Sequence, residues 1–326
     1  MADVAGRSVA ESLAGCLLGL ALGDALGFVV EAQPPAVARG YVSGWLRTGR
    51  AGEREHPDYQ FGQYSDDTQL ARELLLSVRD AGGWDPARFG ERVGALILSG
   101  RDVGAGPGTR SAGLRILLGA PWEHAGTPAP YAGNGAAMRA GPIGLLFGGD
   151  PERWRRCARE QSRVTHRDPR CTAGAVAIAG AVALGAQPGP VRAGDFLARL
   201  AAWVEPEDRS MALAIADLGT WTRLEPESAA QRLHVAESGI SPFVVPSVLW
   251  SLYAFLRSPD DYWEAVCTAI AVGGDTDTMA AMTGAIAGGR LGTGALPPAL
   301  VARLNDRGTW DSAALSRLAR ECAGSA

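Results

Sequence analysis

The sequence is poor in the residues that announce several common chemistries. Five cysteines stand at positions 16, 157, 171, 267 and 322, an odd number with no C-x-x-C pair. Neither a disulfide framework nor a thiolate zinc site is suggested, and a reduced, cytoplasmic setting is expected. Basic runs are missing as well, and the formal charge is -4. That removes the electrostatic reason to expect nucleic-acid binding, so a small anionic ligand would need local donors. The first twelve residues hold Asp3, Glu11 and a single Arg, and so lack the basic start of a signal peptide. Alternating Val, Ile and Thr runs are scarce, no N-G hairpin signal separates two such runs, and no long Ser/Gly/Pro linker or fixed-period repeat appears.

What is present is apolar and helical. Hydrophobic residues make up 47% of the 326, enough for a sizeable core. Residues 12–30, SLAGCLLGLALGDALGFVV, are long and apolar enough to raise a membrane span, with glycines at 15, 19, 23 and 27. Asp24 lies inside this stretch and basic flanks are absent, which favours a buried helix whose glycines admit a close neighbour. Leu70, Leu74, Leu75 and Val78 share one helical face, and Phe89, Val93, Leu96 and Ile97 another. Residues 171–186 read as a small-residue helix, and residues 246–256 as a helix opened by Pro. The expectation is an all-α fold: a single compact helical domain over 8–320, monomeric, with frayed ends at 1–7 and 321–326 and long loops at 32–64 and 100–135.

Two stretches carry more acid than a helix start requires. YSDDT places Ser65, Asp66, Asp67 and Thr68 at one helix opening, and GGDTDT places Asp275, Thr276, Asp277 and Thr278 at another. One short oxygen-bearing side chain suffices as a cap. If the two openings meet, four carboxylates crowd one site, and a cation between them would relieve the repulsion. Carboxylates and hydroxyls are hard ligands, suited to Mg²⁺, Mn²⁺ or Ca²⁺.

The motifs GDALGFVVE, YSDDT, GNGAAMRAGPIGLLF, RVTHRDP and AVGGDTDTMAAMTGAIAG occur in the order and approximate spacing of the ADP-ribosylglycohydrolases, which this chain resembles from about residue 10 to 300. The resemblance implies an all-α domain with two divalent cations, Mg²⁺ or Mn²⁺, that cleaves ADP-ribose from an ADP-ribosylated protein or peptide. It implies Ser65, Asp66, Asp67, Asp275, Asp277 and Thr278 as metal ligands, the extra acid and hydroxyl doubling as helix caps. Ser65 departs from the commoner Thr, keeping the hydroxyl while loosening the rotamer.

Other roles come by the same route. GNGAAMRAG alone reads as an ordinary loop. Beside the resemblance it becomes a diphosphate cradle using backbone N–H groups from Asn134, Gly135 and Ala136, with Met138 in the same motif. VGAGPGT resembles a second Gly-rich loop, contributing Gly106 and Thr109. His166 matches a histidine near the ADP-ribose. Glu31 matches an acid acting on the attacking water, so Glu31 or a metal-bound carboxylate, Asp67 or Asp277, would take the proton. Arginine is the favoured acceptor, with serine next. The alternative is a catalytically silent relative that keeps the fold and either binds ADP-ribose or serves a structural role.

Overall fold

The glycines at 15, 19, 23 and 27 decide how the longest helix packs. In the computed structural model, which describes residues 6–324, that helix is α1 (Val9–Phe28), opened by a capping box between Ser8 and Glu11. It runs antiparallel to α15 (Thr276–Leu291) with the two backbones in direct apposition. A methyl group on Gly15 would stand 2.3 Å from Gly288 O, on Gly19 2.4 Å from Gly284 O, on Gly23 2.1 Å from Ala280 O and on Gly27 2.4 Å from Thr276 O. Gly284 and Gly288 present the same bare surface in return. Tyr262 Oη donates to Gly19 O at 2.8 Å, and Thr276 Oγ1 to Gly27 O at 2.8 Å. Adding one methyl to such a seam should cost at least about 1–3 kcal/mol. By length and composition α1 would pass as a membrane span, yet it lies in the protein interior.

The other helices wrap this pair. After α1 come α2 (Pro35–Tyr41), α3 (Asp66–Ala81), α4 (Pro86–Leu98), α5 (Pro107–Leu117) and α6 (Trp122–Ala125). A 3-10 turn at Asn134–Ala136 precedes α7 (Ile143–Leu146), α8 (Pro151–Thr165), α9 (Pro169–Gly185), α10 (Ala193–Val204), α11 (Arg209–Leu218) and α12 (Pro226–Arg232). Then follow α13 (Val244–Arg257), α14 (Tyr262–Ala271), α15, α16 (Pro298–Val301) and α17 (Ser312–Ala323). Among the described residues there is no β-strand. Isolated bridges pair Gln33 and Ile240 with Gly274, and Gly133 with Phe243. The all-α, single-domain expectation holds.

Two expectations change in detail. The stretches 32–64 and 100–135 contain α2, a π-helical turn at Val42–Leu46, α5 and α6. Pro35 and Pro107 occupy the first turns of α2 and α5, where a missing N–H costs nothing. At the C-terminus α17 continues to Ala323 with Cys322 buried under Leu75, so residues 321–323 are helical where fraying was expected. Residues 1–5 and 325–326 of the two expected frayed ends lie outside the described residues.

Candidate active site

The seam between α1 and α15 carries the N-terminus of α15 to the C-terminal end of α1, and α3 begins beside both. Ser65, the N-cap of α3, accepts from Asp67 N–H at 3.3 Å. Asp24, fully buried on α1, accepts from Ser65 N–H at 2.8 Å, Thr68 N–H at 3.1 Å and Thr68 Oγ1 at 2.6 Å. One α1 carboxylate thus occupies the positive end of α3. At α15 the expected double duty fails for one residue: Asp275 is the N-cap by position, but its side chain makes no capping bond. It is drawn away by Asn134, whose Nδ2 donates to Asp275 Oδ2 at 2.5 Å and to Ser247 Oγ at 3.1 Å.

Carboxylate oxygens converge in two triads, each with its oxygens within 4.8 Å of one another. Asp24, Asp67 and Asp277 form the inner triad; Glu31, Asp275 and Asp277 form the outer one. Asp277 belongs to both. Thr278 Oγ1 donates to Asp67 Oδ1 at 3.3 Å and so ties the α3 and α15 openings together. Asp66 is buried beside them but outside both triads. Its N–H donates to Val103 O at 2.7 Å, and its Oδ1 faces the bare Cα of Gly104.

Crowding and burial act on every member. Burial, then the charge of Asp277, raises Asp24 to about 7, against the hydrogen bonds from Thr68 and Ser65. Asp275 rises to about 8 for the same two reasons, opposed by Asn134 and Thr278. Asp277 rises to about 6 through burial, held down by backbone N–H groups at Thr278 and Asp277. Glu31, half-buried at the mouth, is raised to about 9, chiefly by the charge of Asp277 and then by burial. Asp66 and Asp67 are pushed well above the ordinary range, mostly by burial and then by Asp277, with Arg139 opposing at Asp66.

The donor set fits hard divalent cations. Asp67 Oδ2 and Asp277 Oδ1 are buried and have no hydrogen-bond partner, as expected of oxygens kept free for an ion. Two oxygen-lined triads joined by one carboxylate also suit a pair of ions.

Beside the triads, glycines pack closely around His166. A Cβ on Gly135 would stand 2.8 Å from His166 Cε1 and 3.5 Å from Thr109 Oγ1; one on Gly108 would stand 2.6 Å from Tyr131 and 3.0 Å from His166 Nε2. Gly106 is the N-cap of α5 and faces open space. The N–H of Asn134 donates to Pro242 O at 3.0 Å, so it is not among the donors this loop can offer a phosphate. Ala136 and Met138 are buried in the core below the loop.

The sequence profile of the family described as ADP-ribosylglycohydrolase matches residues 6–326. The chain belongs to the ADP-ribosylglycohydrolase family. It is 30% identical over 319 residues to human ADP-ribosylhydrolase ARH3, covering 87% of this chain and 86% of that one. It is 38% identical over 170 residues to ADP-ribosyl-[dinitrogen reductase] glycohydrolase of Rhodospirillum rubrum, covering 50% and 54%. A solved structure titled ADP-ribosylglycohydrolase-related protein complex superposes with a TM-score of 0.73 at 26% identity, covering 97% of this chain and 98% of that one.

Sequence reasoning brought together Glu31, Asp67, Asp275 and Asp277, and it missed Asp24, which it read only as evidence against a membrane span. The signal lay beside it: an acid next to Gly23 on a face of four-spaced glycines sits where a second helix must approach. The side-chain role of Asn134 was also missed, since only its N–H was considered.

Proposed function

We propose that this family member is an active hydrolase that uses two divalent cations, Mg²⁺ or Mn²⁺, to cleave the glycosidic bond between ADP-ribose and an acceptor. The observation that carries this reading is the pair of carboxylate triads sharing Asp277, with buried, unpartnered oxygens on Asp67 and Asp277. Asp24, Asp67, Asp275 and Asp277 would hold the ions, with Ser65, Thr278 and Asp66 around them. When bound, the cations supply compensating charge and Lewis-acid polarisation of water and sugar hydroxyls.

The protein's own part is to place a base at that centre and the glycine-rich loops beside it. Hydrolysis has water attack the anomeric carbon through an oxocarbenium-like transition state as the acceptor departs. Glu31, at the mouth of the outer triad, accepts the water proton. The field of Asp277 holds a proton on Glu31, so Glu31 becomes a base once the aspartate charge is compensated. The loops carrying Gly106, Thr109, Gly135 and His166 receive the ADP-ribose moiety. Among acceptors, arginine is favoured and serine second. All five cysteines are free and buried, in keeping with a reducing cytoplasm.

The test is incubation with ADP-ribosyl-arginine and ADP-ribosyl-serine peptides, with and without Mg²⁺, followed by mass spectrometry. Metal-dependent release of ADP-ribose from either peptide supports the reading. Binding of ADP-ribose with neither peptide cleaved would make the chain a silent, ADP-ribose-binding relative.

A further inference from the structure

Arg139 is completely buried, yet it makes no ion pair among the described residues, and its Nη1 has no hydrogen-bond partner. Its other nitrogens are committed. Nε donates to Gln161 Oε1 at 2.7 Å, and Nη2 donates to Gln161 O at 2.9 Å and to Thr165 Oγ1 at 2.8 Å. Gln161 is itself oriented, because its Nε2 donates to Ala136 O at 2.9 Å. The guanidinium packs 5.1 Å over the Phe89 ring. This fixed cation therefore points one donor at Thr165.

Thr165 Oγ1 also stands 2.8 Å from His166 Nδ1. A guanidinium only donates, so Arg139 occupies a lone pair of the hydroxyl and leaves the hydroxyl hydrogen free. Among the described residues the sole acceptor in reach of that hydrogen is Nδ1. Nδ1 must then be the bare nitrogen, and the ring proton sits on Nε2. Burial, with a contribution from the Arg139 charge, lowers the imidazole to about 3, so the ring stays neutral at physiological pH.

Nε2 has no partner of its own among the described residues and faces three bare glycines. A methyl on Gly108 would stand 3.0 Å from it, on Gly133 3.2 Å and on Gly135 3.4 Å. We infer that Thr165, oriented by Arg139, is a positioning residue that locks His166 in the Nε2–H tautomer, so that the imidazole donates to an acceptor oxygen of ADP-ribose bound beside these glycines. This ligand assignment rests on the proposed function; the tautomer assignment does not.

The experiment is ¹⁵N–¹H NMR of the imidazole of His166, together with calorimetric ADP-ribose affinity, in the wild type, Thr165→Val and Thr165→Ser. Valine keeps the branched shape and removes the hydroxyl; serine restores the hydroxyl. Wild type and T165S should show Nε2–H alone, and T165V a mixture of tautomers with affinity lowered roughly 10-fold, the scale of one hydrogen bond to a charged group. A wild-type Nδ1–H tautomer would overturn the inference, as would a folded T165V with unchanged tautomer and affinity. Nε2–H in a wild type that binds no ADP-ribose would defeat the functional reading and the ligand assignment, while the T165V shift would still uphold the Arg139–Thr165 relay.

Discussion

The inner and outer triads share Asp277 but are built by different means. Asp24 and Asp67 are essentially inaccessible, at 0% and 1% exposure. Their positions follow from a helix–helix seam with no room for a side chain and from the N–H groups at the start of α3. The outer pair, Glu31 and Asp275, sits on a turn and at an uncapped helix start. Asp275 is steered by the Asn134 side chain, while Glu31 is only half-buried. The difference lies in what fixes each set: a helix seam and backbone N–H groups hold the inner acids, whereas the outer ones depend on side chains that single substitutions can retune.

Asp277 is common to both triads, and its loss should have the largest effect. Asp277→Asn should abolish turnover and weaken Mn²⁺ binding by more than about 10²-fold, because loss of an outer-shell partner alone typically costs roughly 10–100-fold. Titration of metal-stripped protein would check it. Glu31→Gln should lower turnover roughly 10²- to 10⁴-fold, the usual contribution of a general base. It should leave ADP-ribose affinity nearly unchanged, as kinetics on an ADP-ribosyl peptide and calorimetry would show. Near-normal turnover would reduce Glu31 to a solvated acid at the end of α1. Joint loss of metal binding would make it a ligand and not the base.

The smallest expected effect is on the pH dependence of the metal-free protein. Asp24, Asp275, Asp277 and Glu31 all titrate above their unfolded values, at about 7, 8, 6 and 9. Below about pH 4 both states are protonated and no stability is lost. As pH rises through the folded values the native state must give up protons it holds more tightly than the unfolded chain does, so stability falls. Melting temperature without metal should therefore decline between about pH 4 and about pH 9, and Mg²⁺ should restore most at the alkaline end. A flat profile would mean that burial and mutual repulsion do not raise these four acids as their packing indicates.

Much of the inner architecture could be read from the sequence, although for different reasons at different residues. The small-residue helices announced themselves by composition, and the doubled acid-hydroxyl openings exceeded what capping needs. Their convergence across 208 residues of chain came from the family resemblance, because no local pattern encodes a contact at that distance. Asp24 was hidden by its own surroundings: one acid in an apolar run carries no periodic signal, and its partners are the backbone N–H groups of another helix. Short helices such as α2 and α5 were obscured by the Gly and Pro that open them. The side-chain pairing of Asn134 with Asp275 depends on a tertiary contact between residues 141 apart, and nothing in either neighbourhood marks it.

Two cations are expected to share Asp277, one held with Asp24 and Asp67 and the other with Asp275. The most direct measurement counts bound Mn²⁺ per chain in the wild type and in Asp24→Asn, by calorimetry with electron paramagnetic resonance. Two ions are expected in the wild type, coupled through the shared carboxylate, and one in Asp24→Asn, where Asp275 and Asp277 are intact. A single ion in the wild type, or two retained at unchanged affinity in Asp24→Asn, would contradict this expectation.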